Sequence, residues 1–428
     1  MATQVTGAGG TTTSFSNTPQ AKDDTFLYSE DATGVLVLNV LANDLGGAAK
    51  QLYSIDNADS ASTTTKTYAP ADLLTRDATY STDGGGALGT TDTSLLGAKI
   101  WIASDGTIHY NTADINTLLQ SLAQGQVLTD KLTYAIQLGN GTLSWATTTI
   151  QFTGTNDKPV IGAATLVGAV TEDAHTPTET AAGTIAFGDV DFTDVHLISA
   201  VFKGTDYSGQ LGSLNAVKTI DTTGTGSGGL VTWTFTAADS ALDKLAAGQV
   251  VHETYTLTLD DQHGGVVTRD VVITITGTND KPTITAHDDG TVSEGDDNAA
   301  ARTSSGTVTF SDVDTSDTHT LSVSAAASHG TASVDADGTW HYTVSDSGAV
   351  DALAAGEHLA DSFTVQVDDH NGGLATQVVT IDIVGTNDAP EITSDPQSGN
   401  VSEGDGLPGS AQKATGQVTF SDVDTSDT

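Results

Sequence analysis

The string Gly-Thr-Asn-Asp occurs three times, beginning at Gly154, Gly277 and Gly385, and each copy runs on into Lys-Pro or Ala-Pro. Each copy is followed by a short acidic start: Thr171-Glu172-Asp173, Ser293-Glu294-Gly295 and Ser402-Glu403-Gly404. An apolar stretch then ends in Asp-Val-Asp, at Asp189 to Asp191, Asp312 to Asp314 and Asp422 to Asp424. The two complete units close on an alternating strand and an Asp-rich turn, Asp260-Asp261-Gln262-His263-Gly264-Gly265 and Asp368-Asp369-His370-Asn371-Gly372-Gly373. An ordered series of this kind is the signature of tandem repeats. The copies start 123 and 108 residues apart, more than twice the unit of a propeller or solenoid. Each unit can therefore bury a core of its own.

The repeats divide the chain into 1–20, a polar and flexible segment; 21–157, a divergent first unit; 158–280 and 281–388, two full repeats; and 389–428, the start of another. The first unit has the acidic start Ser29-Glu30-Asp31 and ends in Gly154-Thr155-Asn156-Asp157. Where the others have Asp-Asp it reads Gln137-Leu138-Gly139. Alternation at Tyr255, Leu257, Leu259 and at Phe363, Val365, Val367 predicts half-buried strands. With glycine-rich turns and about seven strands per unit, this is an all-β chain of tandem Greek-key β-sandwiches of immunoglobulin- or cadherin-like size. A helical turn is expected over Ala238 to Leu245 and again over Asp351 to Ala355.

The chain carries 14 Lys and Arg against 55 Asp and Glu, a formal charge of −41. That excludes nucleic acid and anionic membranes as partners, which need a basic surface. Either bound divalent cations or a salt-tolerant surface accounts for such a charge. Cysteine is absent, so disulfides and thiolate sites are excluded. No stretch approaches the ~18 apolar residues of a membrane span. The first twenty residues lack the basic start and apolar core of a signal peptide, so export would use another signal.

Calcium takes six to eight oxygen ligands from carboxylates, amides and carbonyls. Asp and Asn also populate turns for reasons of their own. Four acidic clusters recurring in register on a chain this negative favour the cation, because gathered carboxylates repel without one. The expected ligands are Asn156, Asp157, Glu172, Asp189, Asp191 and Asp261; Asn279, Asp280, Glu294, Asp312, Asp314 and Asp369; and Asn387, Asp388, Glu403, Asp422 and Asp424. Period-two alternation selects Asp261 and Asp369 over Asp260 and Asp368. Within each unit these residues are expected to meet at one pole of the sandwich. His263 and His370 read as solvated turn histidines, and no hydrolase or nucleotide-binding motif is present.

The order of linker Asn-Asp-x-Pro, Glu, Asp-x-Asp, then Asp with Gly-Gly resembles the cadherin plan. More closely, Gly-Thr-Asn-Asp-Ala-Pro, the run from Ala336 to Val344 and the run from Val367 to Gly373 resemble VCBS repeats of large bacterial RTX-type, type I-secreted adhesins; the likeness covers 159–428. The resemblance implies Ca²⁺ at the ends of the sandwiches, an extracellular setting and a role in adhesion or biofilm. It also implies partners in neighbouring repeats and in host or matrix glycans or proteins, the chain itself being a monomeric rod without catalytic activity. Cadherins carry an Asp-Arg-Glu motif before the penultimate strand. Here Gln249 and Glu357 stand in that region, and fewer or weaker ions are expected. Glycan-binding or accessory modules of a larger secreted hydrolase are the alternative.

Overall fold

The computed structural model describes residues 4–6, 12–14, 20–59, 71–82, 92–173, 177–295, 302–345, 348–402 and 411–426. Residues 1–168, 180–236 and 253–273 form one compact unit, and 169–179, 237–252 and 274–428 form a second. The linker at 154–157 lies wholly in the first unit, and those at 277–280 and 385–388 lie wholly in the second.

The secondary structure is almost all strand. Four strands in the order Asp24–Ser29, Leu143–Thr153, Val127–Gln137, Gln51–Asp56 make one sheet of the first sandwich; the other runs Val35–Leu38, Ile108–Asn111, Lys99–Ala103, Thr79–Tyr80. The next two repeats have four strands in each sheet, one more per sandwich than the seven expected. In the repeat from 281, Thr283–His287, Thr303–Ser311, Thr339–Val344 and Gly330–Val334 form one sheet. Gly290–Ser293, Leu374–Val384, His358–Asp368 and Thr320–Ala325 form the other. Strand alternation decides what is inside. Phe363, Val365 and Val367 are buried beside Trp340 and Tyr342, and the residues between them face outward. Of the two helical turns expected, Asp239–Leu242 is a helix closed by Asp243 N–H to Asp239 O. The stretch from Asp351 is a turn instead, closed by the shorter bond from Leu353 N–H to Val350 O.

Pairing direction places the acidic residues. Gly290–Ser293 runs parallel to Leu374–Val384, with Ser293 opposite Val384. Both strands thus end together, and Glu294 N–H donates to Val384 O where the chain leaves the sandwich. Asp24–Ser29 runs parallel to Leu143–Thr153 in the same way, and Glu30 N–H donates to Thr153 O. Antiparallel pairs do the opposite. Val160 pairs with Gly188, and Thr283 with Ser311, so Asp-Val-Asp returns to the pole where the linker enters. Leu197 pairs with Asp260, which brings Asp261 to that same leading pole.

Candidate metal centre

Each residue of Gly-Thr-Asn-Asp has its own role. A Cβ on Gly154, Gly277 or Gly385 would lie 2.3 to 2.4 Å from the carbonyl oxygen of Ala123, Leu245 or Ala354, so only glycine lets the linker leave along this path. The Thr N–H donates to the glutamate of the sandwich being left: Thr155 to Glu30 Oε1 at 2.5 Å, Thr278 to Glu172 Oε2 at 2.8 Å, Thr386 to Glu294 Oε1 at 2.5 Å. The Asn amide reaches the Asp-rich turn of the sandwich being entered: Asn156 Nδ2 donates to Asp261 Oδ2 and Asn279 Nδ2 to Asp369 Oδ2, both at 3.0 Å. Asn387 differs, donating to Asp388 O at 2.7 Å. The Asp N–H donates to the second acid of Asp-Val-Asp: Asp157 to Asp191, Asp280 to Asp314 and Asp388 to Asp424, at 2.8 to 2.9 Å.

The expectation that Glu294 gathers with Asp312, Asp314 and Asp369 at one pole is corrected here. Parallel pairing carries Glu294 to the trailing pole, beside Thr386, and Asp314 stands at the leading pole beside Asp280. Each junction therefore combines the glutamate of one sandwich with the Asp-Val-Asp of the next. By this rule Glu30 serves the first junction, a residue missing from the expected set although its acidic start was visible. The missing Asp-Asp turn of the first unit belongs to that unit's leading pole, where Leu138 packs on the core. Its trailing pole is complete.

Asp261 and Asp369 are fully buried. Their Oδ1 atoms accept from His263 and Gly265 N–H, and from Asn371 and Gly373 N–H. A Cβ on Gly265 or Gly373 would fall 1.9 Å from the Oδ2 of that aspartate, so glycine is required for the approach. Asp189 and Asp312 are engaged through both oxygens: Oδ1 accepts from Asp191 or Asp314 N–H, and Oδ2 meets His196 Nε2 at 3.0 Å or His319 Nε2 at 2.8 Å. Asp422 Oδ1 accepts from Asp424 N–H. Glu403 lies outside the described residues.

Among the described residues, Glu30 Oε2, Asn156 Oδ1, Asp157 Oδ2 and Asp191 Oδ1 are buried without a hydrogen-bond partner at the first junction; Glu172 Oε1, Asn279 Oδ1 and Asp314 Oδ1 are so at the second, and Asp424 Oδ1 at the third. Burial pushes Asp191 up to about 7; the bond from Asp157 N–H opposes this, and the charges of Asp194 and Asp189 add to it. Burial likewise takes Glu172 to about 8, opposed by the bond from Thr278 and reinforced by Asp280 and Asp314. Asp280 rises to about 6 through burial and the nearby Asp173, Asp314 and Asp243. Glu30, Asp157 and Asp314 are raised as well, with burial as the main cause.

One oxygen each from Glu30, Asp157 and Asp191 lies within 4.8 Å of the others, and the same holds for Glu172, Asp243 and Asp280. Asp243 was also missed. It directly follows the Asp239–Leu242 helix and supplies a carboxylate close to where the sequence comparison found none. A set of buried, all-oxygen, partly unbonded donors suits a hard divalent cation such as Ca²⁺.

Residues 279–385 match the bacterial cadherin-like domain. The match begins at the linker Asn279 and ends at Gly385, and so covers one linker and one sandwich. Cadherin ectodomains appear among similar solved structures. Protocadherin gamma B2 extracellular cadherin domains 3–6 are 13% identical with a TM-score of 0.37, over 89% of this chain and 76% of that one. Drosophila N-cadherin EC1–4 is 11% identical with a TM-score of 0.27, over 87% and 76%. The human desmocollin-1 ectodomain is 12% identical with a TM-score of 0.25, over 86% and 61%. A search of curated proteins gave no match. No helix among the described residues is long and apolar enough to cross a membrane.

Proposed function

We propose that this chain is a run of calcium-stabilised spacer repeats from a secreted bacterial surface adhesin of the RTX, type I-secreted kind, supporting cell adhesion or biofilm formation without catalysis of its own. The sandwiches occupy 21–157, 158–280 and 281–388, with a further repeat begun at 389. Ca²⁺ at the linkers fixes each repeat to the next, and neighbouring repeats are the primary partners, with host or matrix glycans or proteins as further ones. The proposed ligands are Glu30, Asn156, Asp157, Asp191 and Asp261 at the first junction. At the second they are Glu172, Asp243, Asn279, Asp280, Asp314 and Asp369, and at the third Glu294, Asn387, Asp388 and Asp424. Asp189, Asp312 and Asp422 hold their neighbouring acids in place.

The observation that carries this reading is the set of buried, unbonded oxygens at equivalent positions of successive linkers. Leaving such groups unbonded costs about 1–3 kcal/mol each. A divalent ion removes that cost and the mutual repulsion together. Extracellular modules bind calcium at about 10⁻⁴ to 10⁻³ M, so the sites would be empty in the cytosol and fill after export. The test is sedimentation velocity and thermal unfolding of the whole chain in chelator and in 5 mM calcium, a concentration about five or more times that range. A smaller spread of sedimentation coefficients and a higher midpoint in calcium support the reading. No change in either overturns it.

A further inference from the structure

The first junction holds a second group of metal-ligating side chains, separate from Glu30, Asp157 and Asp191. Asp194, Asp261 and His263 each offer a ligand atom within 4.8 Å of the other two. Asp194 enters through the turn after Asp-Val-Asp, closed by Asp194 N–H to Asp191 O. Its side chain is completely buried; Oδ2 lies 3.2 Å from His263 Nδ1, and Oδ1 has no hydrogen-bond partner among the described residues. His263 Nδ1 is also 3.1 Å from Asp261 O, and the ring is 45% exposed. An ion arriving from solvent thus meets the imidazole first and the unbonded carboxylate oxygen behind it.

The equivalent place in the next repeat is built differently. Asp317 and Asn371 stand there, and Asn371 Nδ2 donates to Asp317 Oδ2 at 2.8 Å. An amide nitrogen with its lone pair delocalised is no metal ligand, whereas a neutral imidazole is a good one for zinc and poor for calcium. We propose that Asp194, Asp261 and His263 form a zinc-class site, selective for a borderline transition-metal ion, at the first junction and not at the second. It would take one tetrahedral ion with water completing the shell. Two ligands about 2.0–2.1 Å from such an ion stand roughly 3.3 Å apart, close to the 3.2 Å between His263 Nδ1 and Asp194 Oδ2. The site deepens the junction reading, since Asp261 also receives the linker amide of Asn156.

Cobalt(II) is the probe, titrated into the full chain in 5 mM calcium and followed by its visible absorption, with zinc used for displacement. That calcium level is about five or more times the usual extracellular dissociation constant. The expected result is one tetrahedral cobalt, displaced by zinc. It weakens in His263→Asn at least by the roughly ten- to hundred-fold that follows loss of a mere supporting contact, and weakens also in Asp194→Asn. His263→Asn installs the side chain already used at position 371, so the turn has a precedent for folding. Its calcium-dependent midpoint is measured in parallel: a retained calcium shift with lost cobalt supports the proposal. Unchanged cobalt stoichiometry in both variants, or an octahedral spectrum competed away by calcium, overturns it. Loss of the calcium shift in the unmodified chain would instead strike the junction reading, independently of the cobalt result.

Discussion

Buried carboxylates occur in two settings in this molecule, and their surroundings are opposite. Inside the sandwiches, Asp361, Glu253 and Asp130 have both oxygens served. Asp361 Oδ1 accepts from Ser328 and Ser362 N–H, and Oδ2 from His329 N–H and the Tyr342 hydroxyl, at 2.7 to 2.9 Å. Glu253 takes Leu211 N–H, Gly212 N–H and the Tyr255 hydroxyl. Asp130 takes Leu96 N–H, Lys131 N–H and the Tyr110 hydroxyl. Burial alone would raise Asp361, yet its four donors hold it below the usual carboxylate range. At the junctions Glu30, Glu172, Asp191, Asp314 and Asp424 each have one bonded oxygen and one without a hydrogen-bond partner among the described residues, and the same burial drives Asp191 and Glu172 up to about 7 and 8. The interior acids are complete within the chain and pin the loops that cross between sheets. In the proposed reading a divalent cation completes the junction acids.

Removing an interior acid should have the largest effect. Asp361→Ala strands three N–H groups and a buried hydroxyl at about 1–3 kcal/mol each. We expect a loss of at least about 3 kcal/mol in urea unfolding, the same in chelator and in calcium. A calcium-dependent loss would erase the distinction between the two settings.

Glu172→Gln and Asp191→Asn should behave with opposite signs in the two conditions. In calcium at ten times the dissociation constant, one lost site removes about 1.4 kcal/mol. In chelator the same change removes a half-bonded carboxyl whose ionisation burial already opposes, and should be neutral or stabilising. Melting each variant both ways checks this. Destabilisation of equal size in both would place these residues with Asp361.

Gly265→Ala is a subtler test, because it leaves every carboxylate in place. Its Cβ would displace Asp261 Oδ2, at a cost of about 1–3 kcal/mol for forced repacking. Calcium titration should show weakening at the first junction alone. Asp337→Asn, in an exposed Asp-Gly turn where Asp337 accepts from Thr339 N–H, should change neither stability nor calcium response appreciably.

The repeats, the alternating strands and the linker residues were legible because each is a local pattern. Asp369 rather than Asp368 followed from side-chain alternation, and Asp369 is the buried one. The pole at which each glutamate sits was not legible. It depends on Gly290–Ser293 pairing parallel with a strand more than eighty residues later, and a residue string does not show pairing direction. Glu30 was overlooked for that reason. Asp243 was overlooked because it continues a helical turn and resembles a solvent-facing residue. The interior acids left no trace either, since the donors of Asp361 come from positions 328, 329 and 342, scattered across the unit.

The most direct test of the central claim is the midpoint of thermal unfolding against pH from 5 to 8, measured in chelator and in calcium. Asp280, Asp191 and Glu172 have folded-state values raised to about 6, 7 and 8. Raised carboxyls stabilise the fold below their unfolded values, and this contribution is lost as pH climbs through the folded ones. In chelator the midpoint should therefore fall between pH 5 and 8. Calcium binds the ionised form, so in its presence the midpoint should hold or rise over the same range. Parallel curves with the same slope in both conditions would contradict a cation at these junctions.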